Sequence, residues 1–417
     1  MFLKFFGGAQ EVGRSAIMLK EENSLLLDYG IKLNAKIEYP ATIPNVDAFI
    51  LSHAHLDHSG FAPALYNEML VPAFGTEPTL ALSELLLDDS LNIAKKEHMT
   101  QRFHKRQIES FKRRYTAMEY GIGFEFEEFG IELLDAGHIS GSAITAIDAK
   151  GAGRSKRIVY TGDFKLDPQC LHKGATVAKS DVLITESTYA TREHPDRETL
   201  LRKLAGAIKE TLDNKGTALL PVFAVGRSQE ILTFLYKNDL IQYVYLDGMA
   251  RAATSIVVKH PEFINNHSLL EKALAEATVI KDRDDREDAL SSPSILLTTA
   301  GMLSGGPVLN YITKLRANSS IFLTGYQVEG TNGSMLMETG TIMVDKKLRR
   351  IETPVFYYDL SAHSGMRELY EYIKRSSPST VVCVHGDQKN AVSLAENLKL
   401  EGYETYAPKI GDTIKLD

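Results

Sequence analysis

The segment Ser52-His53-Ala54-His55-Leu56-Asp57-His58-Ser59-Gly60 carries the densest chemistry in this chain. It follows a short apolar run, Ala48-Phe49-Ile50-Leu51, which is typical of a strand buried on both faces. In an extended chain His53 and His55 project to the same side, whereas the adjacent Asp57 and His58 must diverge. We therefore expect one pair to hold one metal ion while the other pair faces a second.

The ligand types indicate which metals this segment would bind. Imidazole nitrogen and carboxylate oxygen suit zinc, and catalytic zinc sites keep an open position for water. Manganese or iron can occupy similar sites. The alternative interpretation is an ordinary polar loop rich in histidine, but three histidines and one aspartate within six positions are too dense for chance.

Composition is that of a globular protein of two or three domains. The chain has 417 residues, 44% of them hydrophobic and 24% charged, with a formal net charge of −7. We expect no membrane partner, because no apolar run could span a bilayer, and the apolar start is too short for a signal peptide. The only cysteines, Cys170 and Cys383, lie outside zinc-type spacings, so we expect a reducing, cytoplasmic location.

A local cluster of lysines and arginines lies between Lys95 and Arg114. It could track a phosphate backbone. A solvated helix face that balances acidic neighbours such as Glu125 and Glu127 explains it equally well.

Further polar side chains follow predicted strands along the chain. They are Asp28 after 24–27, His138 after 131–137, Asp163 after 157–162, Glu186 at the end of 181–186, His363 after 357–362, and His385 at the end of 380–385. Because α/β folds place their chemistry at strand ends, we expect these groups to converge.

His53, His55 and His138 would hold one ion, and Asp57, His58 and His385 the other. Asp163 would bridge the two ions, and Asp28 would orient a ligand from behind. A hydroxide between two ions is a strong nucleophile at neutral pH.

The middle of the chain has a different pattern. Three apolar strands, 217–222, 294–298 and 320–324, each run into a glycine-containing loop, and a helix begins near Arg227. This is a doubly wound α/β pattern, whose loops can present backbone N–H groups to phosphates. The residues predicted to contact an extended anionic ligand are Arg227, Ser228, Ser304, Gly305, Gly306 and Tyr326.

These motifs resemble those of a known enzyme family. The order Asp28, His53-Ala54-His55-Leu56-Asp57-His58, His138, Asp163 resembles the metallo-β-lactamase superfamily. Glu186 in Glu186-Ser187-Thr188-Tyr189, His363 in Ser361-Ala362-His363-Ser364, and His385 in Val384-His385-Gly386-Asp387 resemble the three further motifs of the β-CASP nucleases. The pattern is most similar to the short archaeal members of the cleavage and polyadenylation specificity factor branch, relatives of ribonuclease J.

The resemblance implies a fold and a domain organisation. We expect an α/β protein with a four-layer αββα metallo-β-lactamase domain over residues 1–190 and 361–417. A doubly wound β-CASP domain over residues 191–360 would be inserted into it. The long archaeal form carries N-terminal KH domains that bind RNA, whereas this chain starts at the first strand, so we expect no sequence-selective recognition of that kind.

The resemblance also implies a function, a metal-dependent ribonuclease with two zinc ions per chain. In this superfamily a histidine at the His385 position goes with RNA enzymes, which favours single-stranded RNA, held between the two domains, as the partner. His363, surplus to the seven ligands, is predicted to be a general acid oriented by Glu186, with Asp57 also placed in the catalytic group. Endonuclease and 5′-to-3′ exonuclease action stay open, as do a homodimer and an RNA-processing complex.

Two other functions compete with this one. A small-molecule thioesterase or lactonase of the same fold needs no second domain to hold a polymer, and the predicted insertion argues against it. A non-catalytic scaffold would be expected to have lost ligands, yet all seven proposed ligand positions carry a competent residue type.

Overall fold

The computed structural model describes residues 1–33, 36–151 and 155–416. The chain forms two compact units. The first comprises Met1–Pro168, His172–Glu193 and His363–Asp417, and the second comprises Gln169–Leu171 and His194–Ala362. The first unit is thus assembled from both ends of the chain.

The elements of the first unit come from both of its sequence segments. Before residue 194 they are β1 (Phe2–Gly7), β2 (Ala16–Lys20), β3 (Ser24–Leu27), β4 (Lys32–Leu33), β5 (Ile37–Glu38), β6 (Ala48–Ile50), α1 (Leu56–Ser59), β7 (Ala73–Gly75), α2 (Glu77–Lys96), α3 (Lys105–Arg114), β8 (Tyr115–Ala117), β9 (Phe124–Phe126), β10 (Phe129–Asp135), β11 (Ala143–Lys150), β12 (Ser155–Tyr160) and β13 (Val182–Glu186).

The second unit follows along the chain, and the first unit resumes after it. The second unit contains α4 (Arg197–Asp213), β14 (Thr217–Pro221), α5 (Arg227–Lys237), β15 (Val244–Asp247), α6 (Met249–Val257), α7 (His267–Glu276), β16 (Thr278–Val279), α8 (Arg283–Ser291), β17 (Ser294–Thr298), α9 (Val308–Ile312), β18 (Ser320–Leu323), α10 (Asn332–Thr339), β19 (Thr341–Val344), β20 (Lys347–Arg350) and β21 (Val355–Tyr357). The first unit ends with α11 (Met366–Ser376), β22 (Thr380–Val384), α12 (Gln388–Leu400), β23 (Glu404–Tyr406) and β24 (Thr413–Lys415).

Two seven-stranded sheets form the centre of the first unit. Their strand orders are β24-β1-β2-β3-β6-β7-β8 and β23-β22-β13-β12-β11-β10-β9. Apolar side chains of both sheets, including Leu3 and Ile17 from one and Ile147 and Ile184 from the other, share one buried core. Phe111 of α3 packs with the outer face of the first sheet, and Leu369 of α11 with that of the second. The four-layer αββα arrangement expected from the sequence is therefore confirmed.

Strand direction explains where the polar motifs lie. β3, β6 and β7 are parallel in one sheet, and β12, β13, β22 and β23 are parallel in the other. Every residue of β6, β13 and β22 is buried, because strands of this kind are covered on both faces. Side chains that follow these strands at the carboxyl end are thus held by a rigid framework.

The second unit is built on one parallel sheet of order β16-β15-β17-β14-β18-β21. Its central strands β14, β17 and β18 are wholly buried. β17 and β18 flank β14 and run parallel to it, so the loops that follow these three strands leave the sheet at the same edge. The doubly wound pattern predicted for the middle of the chain matches this sheet.

The structure also bears on two expectations from composition. Within the described ranges, no helix combines the length and apolarity needed to cross a membrane.

In the cluster of lysines and arginines from the sequence, Lys105 of α3 pairs with Asp88 of α2 at 2.6 Å, and Lys112 pairs with Glu84 at 2.7 Å. Part of this basic cluster is therefore neutralised by a neighbouring helix.

Candidate active site

His53, His55 and His138 come together around one oxygen of Asp163. His53 Nε2 lies 3.5 Å from Asp163 Oδ2, and His138 Nε2 lies 3.9 Å from the same oxygen. His55 Nδ1 is 3.1 Å from His138 Nε2. One potential ligand atom from each of these four residues lies within 4.8 Å of the other three.

A second group gathers around the other oxygen of Asp163. His58 Nε2 lies 3.3 Å from Asp163 Oδ1, and His385 Nδ1 lies 2.9 Å from it. His385 Nε2 is in turn 3.4 Å from Asp57 Oδ2. Asp163 thus presents one oxygen to each group. Burial opposes its ionisation, but His385, His58 and His363 hold the pKa of its carboxyl well below the usual range.

The chemistry of these atoms fits bound metal ions. Several buried atoms at the centre make no hydrogen bond, although each lies 2.9 to 3.5 Å from an ionisable neighbour. They are His53 Nε2, His58 Nε2, His385 Nδ1, His385 Nε2 and Asp163 Oδ1. Buried polar atoms without partners cost free energy, and a cation would satisfy them together. Imidazole and carboxylate are also the donors that zinc accepts.

Asp28 lies behind the second group and fixes His58. Its Oδ2 accepts hydrogen bonds from His58 Nδ1 at 2.6 Å, from Ser52 Oγ at 2.7 Å and from the Tyr160 hydroxyl at 2.7 Å. A carboxylate on the far nitrogen orients a ligating imidazole and sets its tautomer. Ser52 and Tyr160 were not predicted from the sequence, although Ser52 directly precedes the histidine motif.

Gly162 allows Asp163 to reach this position. It has φ +52°, and a Cβ there would lie 2.8 Å from Ser52 Cβ. Only glycine combines that backbone conformation with such a close approach. The Thr161-Gly162-Asp163 turn therefore packs directly against Ser52, the residue that precedes His53.

Glu186 and His363 form a pair beside the Asp163 carboxylate. His363 Nδ1 lies 2.9 Å from Glu186 Oε2, and His363 Nε2 lies 3.9 Å from Asp163 Oδ2. The side chain of His363 is 22% exposed, whereas that of Glu186 is fully buried. Burial opposes protonation of the imidazole, but the charges of Glu186 and Asp163 outweigh it and raise the pKa of His363. Nδ1 thus lies against the Glu186 carboxylate, and Nε2 is the ring nitrogen that faces Asp163.

A buried ion pair ties the segment after Asp163 to the segment after His363. Lys165 Nζ donates to Glu368 Oε2 at 2.6 Å, and both residues are at most 4% exposed. Glu368 also accepts from the backbone N–H of Gly365 at 3.0 Å and of Asp167 at 2.9 Å. Sequence reasoning missed this pair. Its only local signal is the spacing of Gly365 and Glu368, which is that of a helix start closed by a glutamate three residues later.

The structure also places the residues predicted to contact an anionic ligand. Ser304, Gly305 and Gly306 follow β17, and Tyr326 follows β18 and is 51% exposed. Ser228, by contrast, is fully buried in the first turn of α5, and its hydroxyl donates to Ala224 O at 2.6 Å.

Some of the backbone N–H groups that were expected to bind phosphate at this edge already donate hydrogen bonds within the protein. The N–H of Gly226 donates to Gln229 Oε1 at 2.7 Å, and the N–H of Ser228 donates to Phe223 O at 3.2 Å. Arg227, at the start of α5, is 8% exposed. The loops after β17 and β18 thus offer more accessible surface than the start of α5 does.

Family models match most of the chain. A Beta-Casp domain model matches residues 228–336, and a model described as a Zn-dependent metallo-hydrolase RNA specificity domain matches residues 349–408. A model of the anti-Pycsar protein Apyc1 matches residues 8–212. The first two matches include most of the second unit and the segment that carries His363 and His385.

Curated relatives match this chain over all or nearly all of its length. The chain is 39% identical to a probable RNase MJ4 of Methanocaldococcus jannaschii, with all of both chains covered. It is 35% identical to RNase aCSPSF2 of Saccharolobus solfataricus, over 100% of this chain and 85% of that protein. It is 32% identical to the transcription termination factor FttA of M. jannaschii, over 99% of this chain and 71% of that protein.

A solved structure shares the fold. It is the crystal structure of a protein of unknown function from Enterococcus faecalis V583, with a TM-score of 0.61 and 16% identity. The match covers 100% of this chain and 99% of that one. The fold therefore recurs in a chain of very different sequence.

Proposed function

The chain belongs to the β-CASP branch of the metallo-β-lactamase superfamily, and from this premise we propose that it is a metal-dependent ribonuclease that hydrolyses phosphodiester bonds of RNA. In its domain organisation, residues 1–190 and 361–417 form the catalytic domain and residues 191–360 form the β-CASP domain. Relatives named as ribonucleases support the reaction class.

The observation that carries the proposal is the division of Asp163 between two ligand groups. Its Oδ2 faces His53 and His138, and its Oδ1 faces His58 and His385. A single carboxylate shared in this way suits two neighbouring cations rather than one. The metals, when bound, lower the pKa of water and neutralise charge that develops on a phosphate during hydrolysis.

Zinc is the metal we propose, with two ions per chain. The ligand set of five imidazoles and two carboxylates consists of donor types that zinc accepts in catalytic sites. Apoprotein supplied separately with zinc, manganese and ferrous iron, and assayed on one RNA, tests this assignment. Zinc should restore activity at the lowest free metal concentration. Higher activity with manganese at equal occupancy would reassign the metal.

His363 supplies the proton that the leaving group needs. Hydrolysis that yields a 5′-phosphate expels a 3′-oxygen, which is a poor leaving group unless it is protonated. His363 Nε2 can donate that proton, while Nδ1 donates a hydrogen bond to Glu186 Oε2. Glu186 is fixed in turn, because its Oε1 accepts from the N–H of Phe164 at 2.8 Å. The pair thus keeps the imidazole oriented and charged.

The test uses one RNA labelled separately at its 5′ and 3′ ends. The wild-type protein should cleave the single strand, and chelation of the metal should stop the reaction. Internal fragments from both labels indicate endonuclease action, whereas single nucleotides released first from the 5′ label indicate 5′-to-3′ trimming. A hairpin of equal length should be cut more slowly, because its bases are paired. Absence of cleavage with the metals in place would reject the proposed function.

A further inference from the structure

Phe223 is an exposed aromatic residue at the carboxyl edge of the second unit's sheet. It lies two residues after β14 and is 37% exposed. Its backbone is held firmly, since the preceding N–H of Val222 donates to Thr298 O at 2.9 Å and its own carbonyl accepts from Ser228 N at 3.2 Å. A large apolar side chain is thus presented to solvent from a rigid strand end.

Two glycines border one edge of the Phe223 ring. A Cβ at Gly301, after β17, would lie 3.3 Å from Phe223 Cδ2 and 2.9 Å from its backbone nitrogen. A Cβ at Gly325, after β18, would lie 3.4 Å from Phe223 Cε2. Any side chain at these two positions would crowd or cover the ring. The loops of both neighbouring strands therefore leave it accessible.

Gln327 holds these two loops together. Its Nε2 donates to Gly301 O at 3.2 Å and to Gly325 O at 2.9 Å, and the residue is 8% exposed. The ring thus rests on a fixed backbone support. Tyr326, the residue after Gly325, is 51% exposed. The ring itself keeps 37% of the residue's surface exposed, which leaves area on which a flat ligand can stack.

We propose that Phe223 is a stacking platform for a nucleobase of single-stranded RNA, a role that rests on the proposed function. A rigidly held, partly exposed aromatic ring at the carboxyl edge of a parallel sheet suits a ligand that presents flat bases. Base–aromatic stacking accepts any base, because every base has a π-face. A duplex cannot offer such a face without unpairing, so this platform selects single strands by shape and not by sequence.

The matched control for this role is Phe356, on the edge strand β21. It is 41% exposed and lies 5.5 Å from the ring of Phe322, in the same sheet but in the strand itself and not in a carboxyl-end loop. The variants F223L and F356L remove the same ring from similarly exposed positions. F223W keeps a stacking surface, so it separates loss of stacking from loss of folding.

The experiment measures KM and kcat of the holoenzyme on a single-stranded RNA. F223L should raise KM by about 5- to 150-fold, the range for loss of one stacked base, with a much smaller change in kcat. F223W should restore KM to near the wild-type value, and F356L should leave it unchanged. Equal KM values for wild type and F223L would contradict the stacking role of Phe223. So would a rise in KM that F223W fails to reverse.

A set of RNAs with a single abasic nucleotide at successive positions completes the test. With the wild-type enzyme, one position should raise KM above the others, and F223L should erase that difference. The same abasic profile in both proteins would contradict the proposal even if F223L raises KM. Absence of RNA cleavage by the wild type would reject the proposed function and this inference together. An unchanged KM in F223L, a raised KM that F223W does not restore, or an unchanged abasic profile would reject only the stacking role of Phe223.

Discussion

The centre around Asp163 and the sheet edge around Phe223 are built by opposite means. At the first, buried side chains of fixed chemical type converge, and further carboxylates such as Asp28 and Glu186 hold them. At the second, a ring and glycine backbone form the surface, and more than a third of Phe223 is exposed. A reacting phosphate needs particular groups at particular distances, whereas a polymer of varied sequence needs a surface that every nucleotide fits. Changes at the first region should alter metal content or kcat, and changes at the second should alter KM.

The largest effect is expected for Asp163→Ala. Both ligand groups lose their shared carboxylate, so the protein should lose most of its bound metal and all measurable cleavage of RNA. Elemental analysis and the labelled-RNA assay measure the two quantities. Asp148→Ala, at a half-exposed aspartate of β11 that pairs with Arg157, is the control and should leave both unchanged. Retention of full metal content and activity by the Asp163 variant would remove the bridging role.

His363→Ala should separate chemistry from metal binding. The variant should keep its metals and its thermal unfolding temperature, but its kcat should fall by about 10²–10⁴-fold, the usual range for a positioned general acid. His98→Ala, at an exposed histidine beyond α2, serves as the comparison. If the loss of activity followed a loss of metal, His363 would be a ligand and not a proton donor.

Glu186→Gln should shift the pH dependence of the same step. Glu186 raises the pKa of His363, so the protonated acid persists above the pH at which histidine usually loses its proton, and activity is lost as pH rises through that raised pKa. Removal of the charge should move the alkaline limb of the kcat/KM profile to lower pH. It should also lower kcat, by no more than His363→Ala does, because the imidazole loses the carboxylate that orients it. An unchanged alkaline limb would assign that limb to another group.

A smaller fall in kcat is expected for Glu368→Gln, since Glu368 positions the backbone beside His363 and does not act on the substrate. Its Oε2 holds Lys165 and the N–H of Gly365, two residues after His363. The Lys165→Met/Glu368→Leu double variant removes the buried pair without leaving either charge alone, and it should lower kcat without changing metal content. Glu371→Gln, on the exposed face of the same helix, is the control. A change in KM alone would place the effect on binding instead of on positioning.

The sequence predicted the first region far better than the second. Metal chemistry restricts residue type, and His53, His55, Asp57 and His58 lie within six positions, so their pattern can be read from the sequence. Contacts such as that of Lys165 with Glu368, 203 residues away, have no local pattern. They become visible only when the two sequence segments of the first unit are folded together.

The second region was predicted only as loops. The strands before these loops were recognised by their apolar runs, and the loops by their glycines. Phe223 was missed, because a phenylalanine beside a buried strand ordinarily belongs to the core. Ser228 was assigned to the ligand, yet its side chain is buried and hydrogen-bonded to Ala224. Which side of a loop faces solvent depends on packing that the sequence alone does not specify.

The most direct test of the account is a zinc titration of the apoprotein, with cleavage of labelled single-stranded RNA measured at each point. If two ions share Asp163, activity should stay low through the first equivalent of zinc per chain and reach its plateau at the second. The Asp163→Ala protein should stay inactive at every point of the titration. A plateau at one equivalent, with no further gain from the second, would contradict the two-ion site on which the proposed reaction depends.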